Sequence, residues 1–310
     1  MSVDFKKLSN FVKIIDTSSL SKAAAALRVA QPALSQQVIA LETHFKQKLI
    51  IRGNQGVKPT AAGKLLYSHA QSILRHLERA QAEISATSEG LAGRVSVGLA
   101  TYSPAASVTV PFLQRMKAIY PNILVHINDN FGQILSDLVM TGRMDLAIIY
   151  GDRPIKGVSL EKLLSEDLYF IGPHPETRND QQSVELEELR DVPLILPSKQ
   201  HALRWLIDEG FTRARVQPHV TTEIESISTL TDAVLGGIGS TILPYSTALS
   251  IASDALSLRH LTHPTLEVHL SMCMSDHLPL SEAALATRDV LRTVLQEFLA
   301  GADTKQTNSK

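Results

Sequence analysis

Residues 19–42, SLSKAAAALRVAQPALSQQVIALE, constrain this chain more than any other stretch. Ser19 is placed to cap a short helix. The alanines at 23–26 favour helix and leave room for a second helix to pack close. Val29-Ala30 permits only a tight connection. Pro32 then falls in the first turn of the next helix, where its missing N–H costs nothing. There Leu34, Val38 and Leu41 form an apolar stripe, while Gln31, Ser35, Gln36 and Gln37 lie toward the polar start. Upstream, Asp4 can cap a helix with Phe5, Leu8, Phe11, Val12 and Ile15 at helical spacing. Two short helices, a tight turn, and amide and hydroxyl groups opening the second helix predict a helix-turn-helix. In such a unit the second helix enters the major groove of DNA. Gln can pair with adenine there, and Ser can serve donors or acceptors. A plain three-helix bundle is the bland alternative.

The next segment also suits DNA. Leu49-Ile50-Ile51-Arg52 is strand-like, Gly53-Asn54-Gln55-Gly56 is turn-like, and Val57-Lys58 returns, which predicts a β-hairpin wing. Arg52 and Lys58, with Lys46 or Lys48, are placed to meet phosphates, which set position without reading sequence. Each lysine alone is equally an ordinary solvated charge. The charge balance agrees: residues 1–89 carry 12 Lys/Arg against 6 Asp/Glu, and residues 90–310 carry 18 against 25. A basic module on an acidic body suits a polyanionic partner for the first part only. Thr60 can then cap a helix running toward Glu89. Leu66, Ala70, Ile73, Leu77, Ala80 and Ile84 make a heptad seam on it, flanked by polar residues. Leu66, Ile73, Leu77 and Ile84 are the expected dimer contacts; packing on its own domain is the alternative.

Beyond Gly90 and Gly93, read as a hinge, strand and helix signals alternate. Val95–Leu99, Leu124–Ile127 and Asp145–Tyr150 read as strands, with helices at Val108–Ile119 and Ile134–Met140. This order predicts an α/β domain with a parallel sheet. Strands near 166–171, 193–196, 218–222, 239–243 and 267–274 continue it, with helices at 200–209, 225–235 and 282–299. Residues 301–310 read as a frayed, flexible tail. With 44% apolar and 20% charged residues the chain is not mostly disordered. It has no apolar run long enough for a membrane span, and its start lacks a signal peptide's apolar core, so a cytoplasmic location and no membrane partner are expected. The single cysteine, Cys273, sits in an apolar alternating run and reads as a small buried hydrophobe.

The stretches Ser19–Glu42 and Leu49–Gly63 resemble the winged helix-turn-helix of LysR-type transcriptional regulators. Ser19, Leu20, Ala23, Ala24, Leu27, Gln31, Pro32, Ser35, Leu41, Glu42, Arg52, Pro59, Thr60, Ala62 and Gly63 carry the likeness. Ala30 departs where Ser or Thr often caps the recognition helix, Ile50 where an aromatic is common, and Pro59 where Leu is common. The likeness continues through TGRMDLAI at 141–148, EDLYF at 166–170 and AVLGGIGSTILP at 233–244, so it spans nearly the whole chain. Within the family, QPALSQQV at 31–38, RGNQGVKPTAAGKLLYSHAQSILR at 52–75 and EIESISTLTDAVLGGIGSTILP at 223–244 resemble the nitrogen assimilation control subgroup.

The resemblance implies a winged domain at 1–59 and a linker and dimerisation helix at 60–89. A two-lobed, periplasmic-binding-protein-like α/β effector domain would come after it, at 90–300. Lobe I would be about 91–161 plus 266–300, and lobe II about 162–265. It implies a homo-oligomer, a tetramer by likeness, on palindromic promoter DNA. RNA polymerase and a small-molecule effector are the further partners it suggests. Effectors in such sheets sit beyond strand ends, at helix starts. Thr101, Ser103, Ser198 and Ser226 offer hydroxyls at such places, with Asn128 and Phe131 beside them, although helix capping explains the same residue types. Glu223, Glu225 and Asp129 would disfavour an anionic ligand.

Enzyme signals are lacking: no Gly-x-Ser-x-Gly elbow and no phosphate loop. Gly236-Gly237-Ile238-Gly239 reads as a helix end and tight turn. The scattered histidines form no ligand pattern, so no catalytic residue, metal or cofactor is expected. The leading expectation is a regulator of nitrogen-metabolism or catabolic genes, with activity set by its own abundance. A sensor of aromatic or nitrogen-heterocycle metabolites with an obligatory inducer is a second reading, and a metabolite-binding oligomer that ignores DNA is a third.

Overall fold

The computed structural model describes residues 4–53, 56–86, 91–173, 182–253 and 255–307. The tip of the expected wing at 54–55, with Glu89 and Gly90, lies outside them. The chain divides into two compact units, one of residues 1–88 with 141–143 and one of residues 89–140 with 144–310.

In the first unit, α1 (Phe5–Thr17) starts where Asp4 accepts the Lys7 N–H at 2.8 Å. Its buried stripe is Leu8, Phe11 and Ile14, whereas Phe5, expected on that stripe, is exposed. The Ser19 side chain caps α2 (Leu20–Leu27) through the Lys22 N–H. Ala23 and Ala24 sit in one core with Phe11 and Leu34, where only a small side chain leaves room for neighbouring helices. Arg28 ends α2 in the left-handed region. α3 (Gln31–Phe45) then begins at Ala30 without a side-chain cap, and Pro32 stands in its first turn.

The wing is β1 (Ile50–Gly53) paired antiparallel with β2 (Gly56–Pro59). The buried Glu42 carboxylate of α3 accepts the Leu49 N–H at 2.9 Å, the Ile50 N–H at 3.4 Å and the Lys48 ammonium at 2.8 Å. Burial desolvates this carboxylate, yet the three donors hold its pKa below the ordinary 4.5. Gly63 is required, because a Cβ there would collide with the Leu49 carbonyl oxygen. α4 (Ala61–Ala86) comes directly after Thr60, whose hydroxyl accepts the Gly63 N–H at 2.9 Å and donates to the Lys48 carbonyl at 2.6 Å.

The second unit runs β3 (Gly93–Ala100), α5 (Ala105–Ile119), β4 (Ile123–Asn130), α6 (Gly132–Met140), β5 (Leu146–Tyr150), β6 (Val158–Pro173), β7 (Ser183–Glu185), β8 (Leu194–Leu196), α7 (Ala202–Arg213), β9 (Val220–Glu223), α8 (Ile227–Leu235), β10 (Thr241–Pro244), α9 (Tyr245–Ile251), β11 (Leu256–Thr262), β12 (Glu267–Ser275) and α10 (Glu282–Thr307). β3 pairs parallel with β4 and β5, as the β-α-β-α-β order predicts. The main sheet has the order β4-β3-β5-β12-β6-β11-β7, and β10 also pairs with β6. β8 and β9 form a separate parallel pair.

β6 is the strand that crosses between lobes. From Val158 to Asp167 it pairs with β12; from Leu168 to Pro173 it pairs with β10 and β11. The expected division at 161/162 thus falls inside one continuous strand. Residues 301–307, expected as a frayed tail, continue α10. Gly301 weakens a helix by only about 1 kcal/mol, and Ala302, Lys305 and Gln306 favour extending one already nucleated. Cys273 is fully buried, and burial pushes its thiol pKa up to about 12, which fits the inert hydrophobe expected there.

Candidate nucleic-acid interface and interlobe cleft

On α3, Gln31, Pro32 and Gln36 are exposed and Ser35 is half-buried, one position along from the buried Leu34. The Ser21 hydroxyl donates to the Gln31 amide oxygen at 3.3 Å, and the Asn10 amide donates to Gln37 at 2.6 Å. Arg52 and Lys58, expected together as phosphate contacts, lie on opposite faces of the wing. Side chains alternate along a strand. Arg52 therefore shares its face with the buried Ile50 and stands opposite Val57, which is also buried; Lys58 stands opposite the exposed Ile51. The Arg52 guanidinium meets α3, its Nη1 donating to the Ser35 hydroxyl at 2.9 Å. Lys58 and Lys46 are exposed, whereas Lys48 is paired with Glu42.

The seam on α4 divides. Leu66 packs against the core of the winged unit and Ala70 is buried. Ile73 and Ile84 are 42% and 74% exposed, with Leu77 half-buried between them. Of the described seam positions, those from Ile73 onward lie outside the core of the winged unit.

In the second unit, the loop after β3 is gripped by lobe II. Tyr102 adopts φ 63° and is 3% exposed. Its phenol donates to the Ile224 carbonyl, and its own carbonyl accepts from the Tyr150 hydroxyl at 2.7 Å and the Thr247 hydroxyl at 2.8 Å. His201, which opens α7, lies edge-on to the Tyr102 ring at 5.3 Å and to Phe131 at 6.0 Å. Its Nδ1 accepts the Leu203 N–H at 3.1 Å, so the proton sits on Nε2 and points at the Thr101 carbonyl and hydroxyl, each at 3.0 Å.

A cavity of about 840 Å³ adjoins this junction. It brings together Thr101, Ser103 and Ser226 of the expected effector residues, with Asp129, Glu225 and Asp232. The Ser103 hydroxyl donates to the Ala100 carbonyl at 2.6 Å, and Ser226 caps α8. The other four are not part of its wall. Phe131 packs on His201, and Asn128 lies within β4 beside Gly98. The Ser198 N–H donates to Glu225 at 3.2 Å. Glu223 pairs with the buried Arg204 at 2.9 Å. Sequence reasoning missed His201, whose partners Thr101, Tyr102 and Phe131 lie far back in the chain, and Arg204, whose bonds to Pro197, Asp208 and Glu223 no motif announces.

Burial holds the His201 pKa below the ordinary 6.5, against the weaker pull of the Thr101 bond and of Glu225. Above 6.5 the ring is neutral in both folded and unfolded chains. As pH falls below 6.5 the unfolded chain gains a proton that the folded one refuses, so stability declines until the lowered folded pKa is reached. We expect the unfolding midpoint of this unit to drop between pH 7.5 and 5.5, and His201→Gln to flatten the drop. Equal pH sensitivity in the variant would refute the assignment.

Comparison with known proteins decides the family. Residues 5–64 match the model of the bacterial regulatory helix-turn-helix protein, lysR family, and residues 88–296 match the LysR substrate binding domain. The chain belongs to the LysR family. It is 40% identical over 294 residues to the nitrogen assimilation regulatory protein nac of Escherichia coli strain K12, covering 94% of this chain and 95% of that protein. Identity to the protein of that name from Klebsiella aerogenes is 39%, with the same coverage. Among solved structures, full-length OxyR from Pseudomonas aeruginosa gives a TM-score of 0.70 at 23% identity, covering 95% of this chain and 98% of that one. CbnR in complex with its target DNA gives 0.67 at 19% identity, covering 94% and 100%. These likenesses establish the two-lobed, periplasmic-binding-protein-like architecture behind a winged helix-turn-helix. This LysR protein is a DNA-binding transcriptional regulator, not an enzyme. Among its described residues no helix is long and apolar enough to cross a membrane.

Proposed function

We propose that this LysR regulator binds palindromic promoter DNA in the cytoplasm as a homo-oligomer and controls genes of nitrogen metabolism. RNA polymerase would be its further partner. Gln31, Pro32, Ser35 and Gln36 would face base edges, while Arg52 and Lys58 approach the backbone. The observation that carries the DNA reading is the exposed polar start of α3 beside a cationic wing. End-to-end identity with the nac proteins supports the nitrogen assignment. The open part of the α4 seam, Ile73, Leu77 and Ile84, supports dimerisation, with dimers pairing into a tetramer. Tyr102 and His201 fill the junction between the lobes with the chain's own side chains, which supports activity set by abundance rather than by a coinducer. A second reading, a metabolite sensor, is favoured by the neighbouring cavity, whose volume suits a small ligand.

The test is fluorescence anisotropy of the full-length protein with promoter fragments from nitrogen-metabolism genes, without added metabolite. Specific binding is expected to be about 10³-fold or more tighter than binding to random DNA, and to fall steeply with salt. Ile84→Glu should lower the mass in solution and weaken binding to a two-half-site operator. Equal affinity for all sequences overturns the regulator reading, and an unchanged mass removes the seam from the interface. Specific binding that appears only when a nitrogenous or aromatic metabolite is added selects the sensor.

A further inference from the structure

We propose that Arg52 is a positioning residue that fixes the hydrogen-bond polarity of Ser35, so that Ser35 reads acceptor atoms in the major groove. The inference rests on the reading that α3 enters that groove. It goes beyond a phosphate contact for Arg52, because it gives the wing a part in choosing sequence.

A serine hydroxyl has one hydrogen and two lone pairs, and by itself suits either a donor or an acceptor on a base. It is therefore a poor discriminator. Arg52 removes the ambiguity. A guanidinium is always charged and carries only donors. In the 2.9 Å bond between Arg52 Nη1 and Ser35 Oγ, the serine must accept. One lone pair is then occupied, and the hydroxyl hydrogen is left for the outside. The adjacent positive charge also makes that O–H a stronger donor and opposes the approach of a second N–H. Guanine N7 and O6, adenine N7 and thymine O4 fit such a group; cytosine N4 and adenine N6, both donors, do not.

The fold delivers the guanidinium to this place. α3 holds the wing at two points seven residues apart, Ser35 and Glu42, which lie on the same face two turns from one another. Glu42 grips the backbone where β1 begins, through Leu49 and Ile50. Arg52, two residues after Ile50 and on the same strand face, returns to α3 at Ser35. On the other edge of the hairpin, the Val57 N–H donates to the Ser18 carbonyl at 2.8 Å, and a Cβ at Gly56 would strike that same carbonyl. The wing is thus fixed against both α3 and the α1–α2 turn, which keeps the Arg52 side chain within reach of Ser35.

The experiment is binding selection from an operator library randomised in each half-site, using full-length wild type, Ser35→Ala, Arg52→Ala, Arg52→Lys, Arg52→Gln and the double variant Ser35→Ala/Arg52→Ala. Wild type should prefer acceptor-presenting bases at one position per half-site, by about fivefold or more, the discrimination typical of a single mismatched pair. Ser35→Ala should erase the preference at that position. Arg52→Ala should weaken it there, and the double variant should add nothing further at that position. Arg52→Lys, still a pure donor, should preserve it. Arg52→Gln should not, because its amide oxygen can accept the serine hydrogen and release the serine to accept from a base. Thermal midpoints and circular dichroism check that each variant folds, and Arg52→Lys against Arg52→Gln keeps the test decisive if Arg52→Ala does not. Loss of affinity for all sequences alike in Arg52→Gln, with a smaller salt slope and an unchanged preference, would overturn the proposal while leaving the DNA reading of α3 intact. A wild type with no sequence preference would overturn both.

Discussion

Replacing Asp145 by alanine is expected to destabilise the C-terminal unit by about 3–5 kcal/mol, the loss expected when buried partners of a carboxylate are left unpaired. Asp145 is buried, and its Oδ2 accepts the Ser96 N–H at 2.7 Å and the Ser96 hydroxyl at 2.8 Å. Its own N–H lies 3.2 Å from both the Ser96 hydroxyl and the Ser96 carbonyl. The need arises from the sheet itself. β3 and β5 come into register only from Val97 and Leu146 onward, so Ser96 lies one residue before the ladder begins. The Asp145 side chain supplies the acceptor that a strand would otherwise provide. Alanine leaves the Ser96 N–H and hydroxyl buried without it, at about 1–3 kcal/mol each, and adds a small void. Asparagine keeps one acceptor oxygen and the volume, and should lose about half as much. For a unit of this size the alanine variant should unfold roughly 8–15 °C lower by calorimetry of the full-length protein. A midpoint within about 2 °C of wild type would show that Ser96 finds another partner.

Local chemistry made the winged unit legible. Asp4, Ser19 and Thr60 each cap the helix that the sequence assigns to them, and each does so with a single short-range bond. Leu34, Val38 and Leu41 are buried as their spacing requires. The linker was half legible. Its helix was plain, but periodicity does not say which neighbour covers each turn, and Leu66 turns to its own domain. In the effector unit, β11 and the first half of β6, before the strand expected near 166–171, were the hard strands. VSLEKLLSEDLYF alternates charges with leucines, and LSLRHLT carries Arg259 and His260, so neither reads as the apolar run of a buried strand. Their stability comes from pairing with distant segments, in β6 more than a hundred residues away, such as Leu270 against Leu164.

The same limit explains the cleft. Thr101 and Ser103 follow the end of β3 and Ser226 opens α8, places that a sequence exposes. The residues that close the junction meet across the chain: Thr101 with His201, Tyr102 with Ile224 and Thr247. Likewise, Arg52 and Lys58 look alike in sequence as cations of a short hairpin. Strand alternation sends one to α3 and the other to the outer face, and the proposed positioning role of Arg52 rests on that difference.

Tyr102→Ala should have the largest effect of any substitution at the lobe junction, about 3–5 kcal/mol, as for other fully buried aromatic rings. Three contributions add. The ring leaves a void beside His201, Phe131 loses part of its packing indirectly through that imidazole, and the Ile224 carbonyl loses its donor. Tyr102→Phe separates these terms: it keeps the ring and removes only the hydrogen bond, and should cost about 1 kcal/mol. Calorimetry of the full-length variants reads the difference. The opened space also joins the existing cavity, so Tyr102→Ala should bind an apolar fluorescent probe such as ANS more strongly than wild type, while Tyr102→Phe should not. If Tyr102→Ala and Tyr102→Phe unfold together near the wild-type midpoint, the Tyr102 ring is not what anchors the loop after β3. If they separate as expected, it is the Tyr102 ring, more than its hydrogen bond to the Ile224 carbonyl, that anchors the loop after β3.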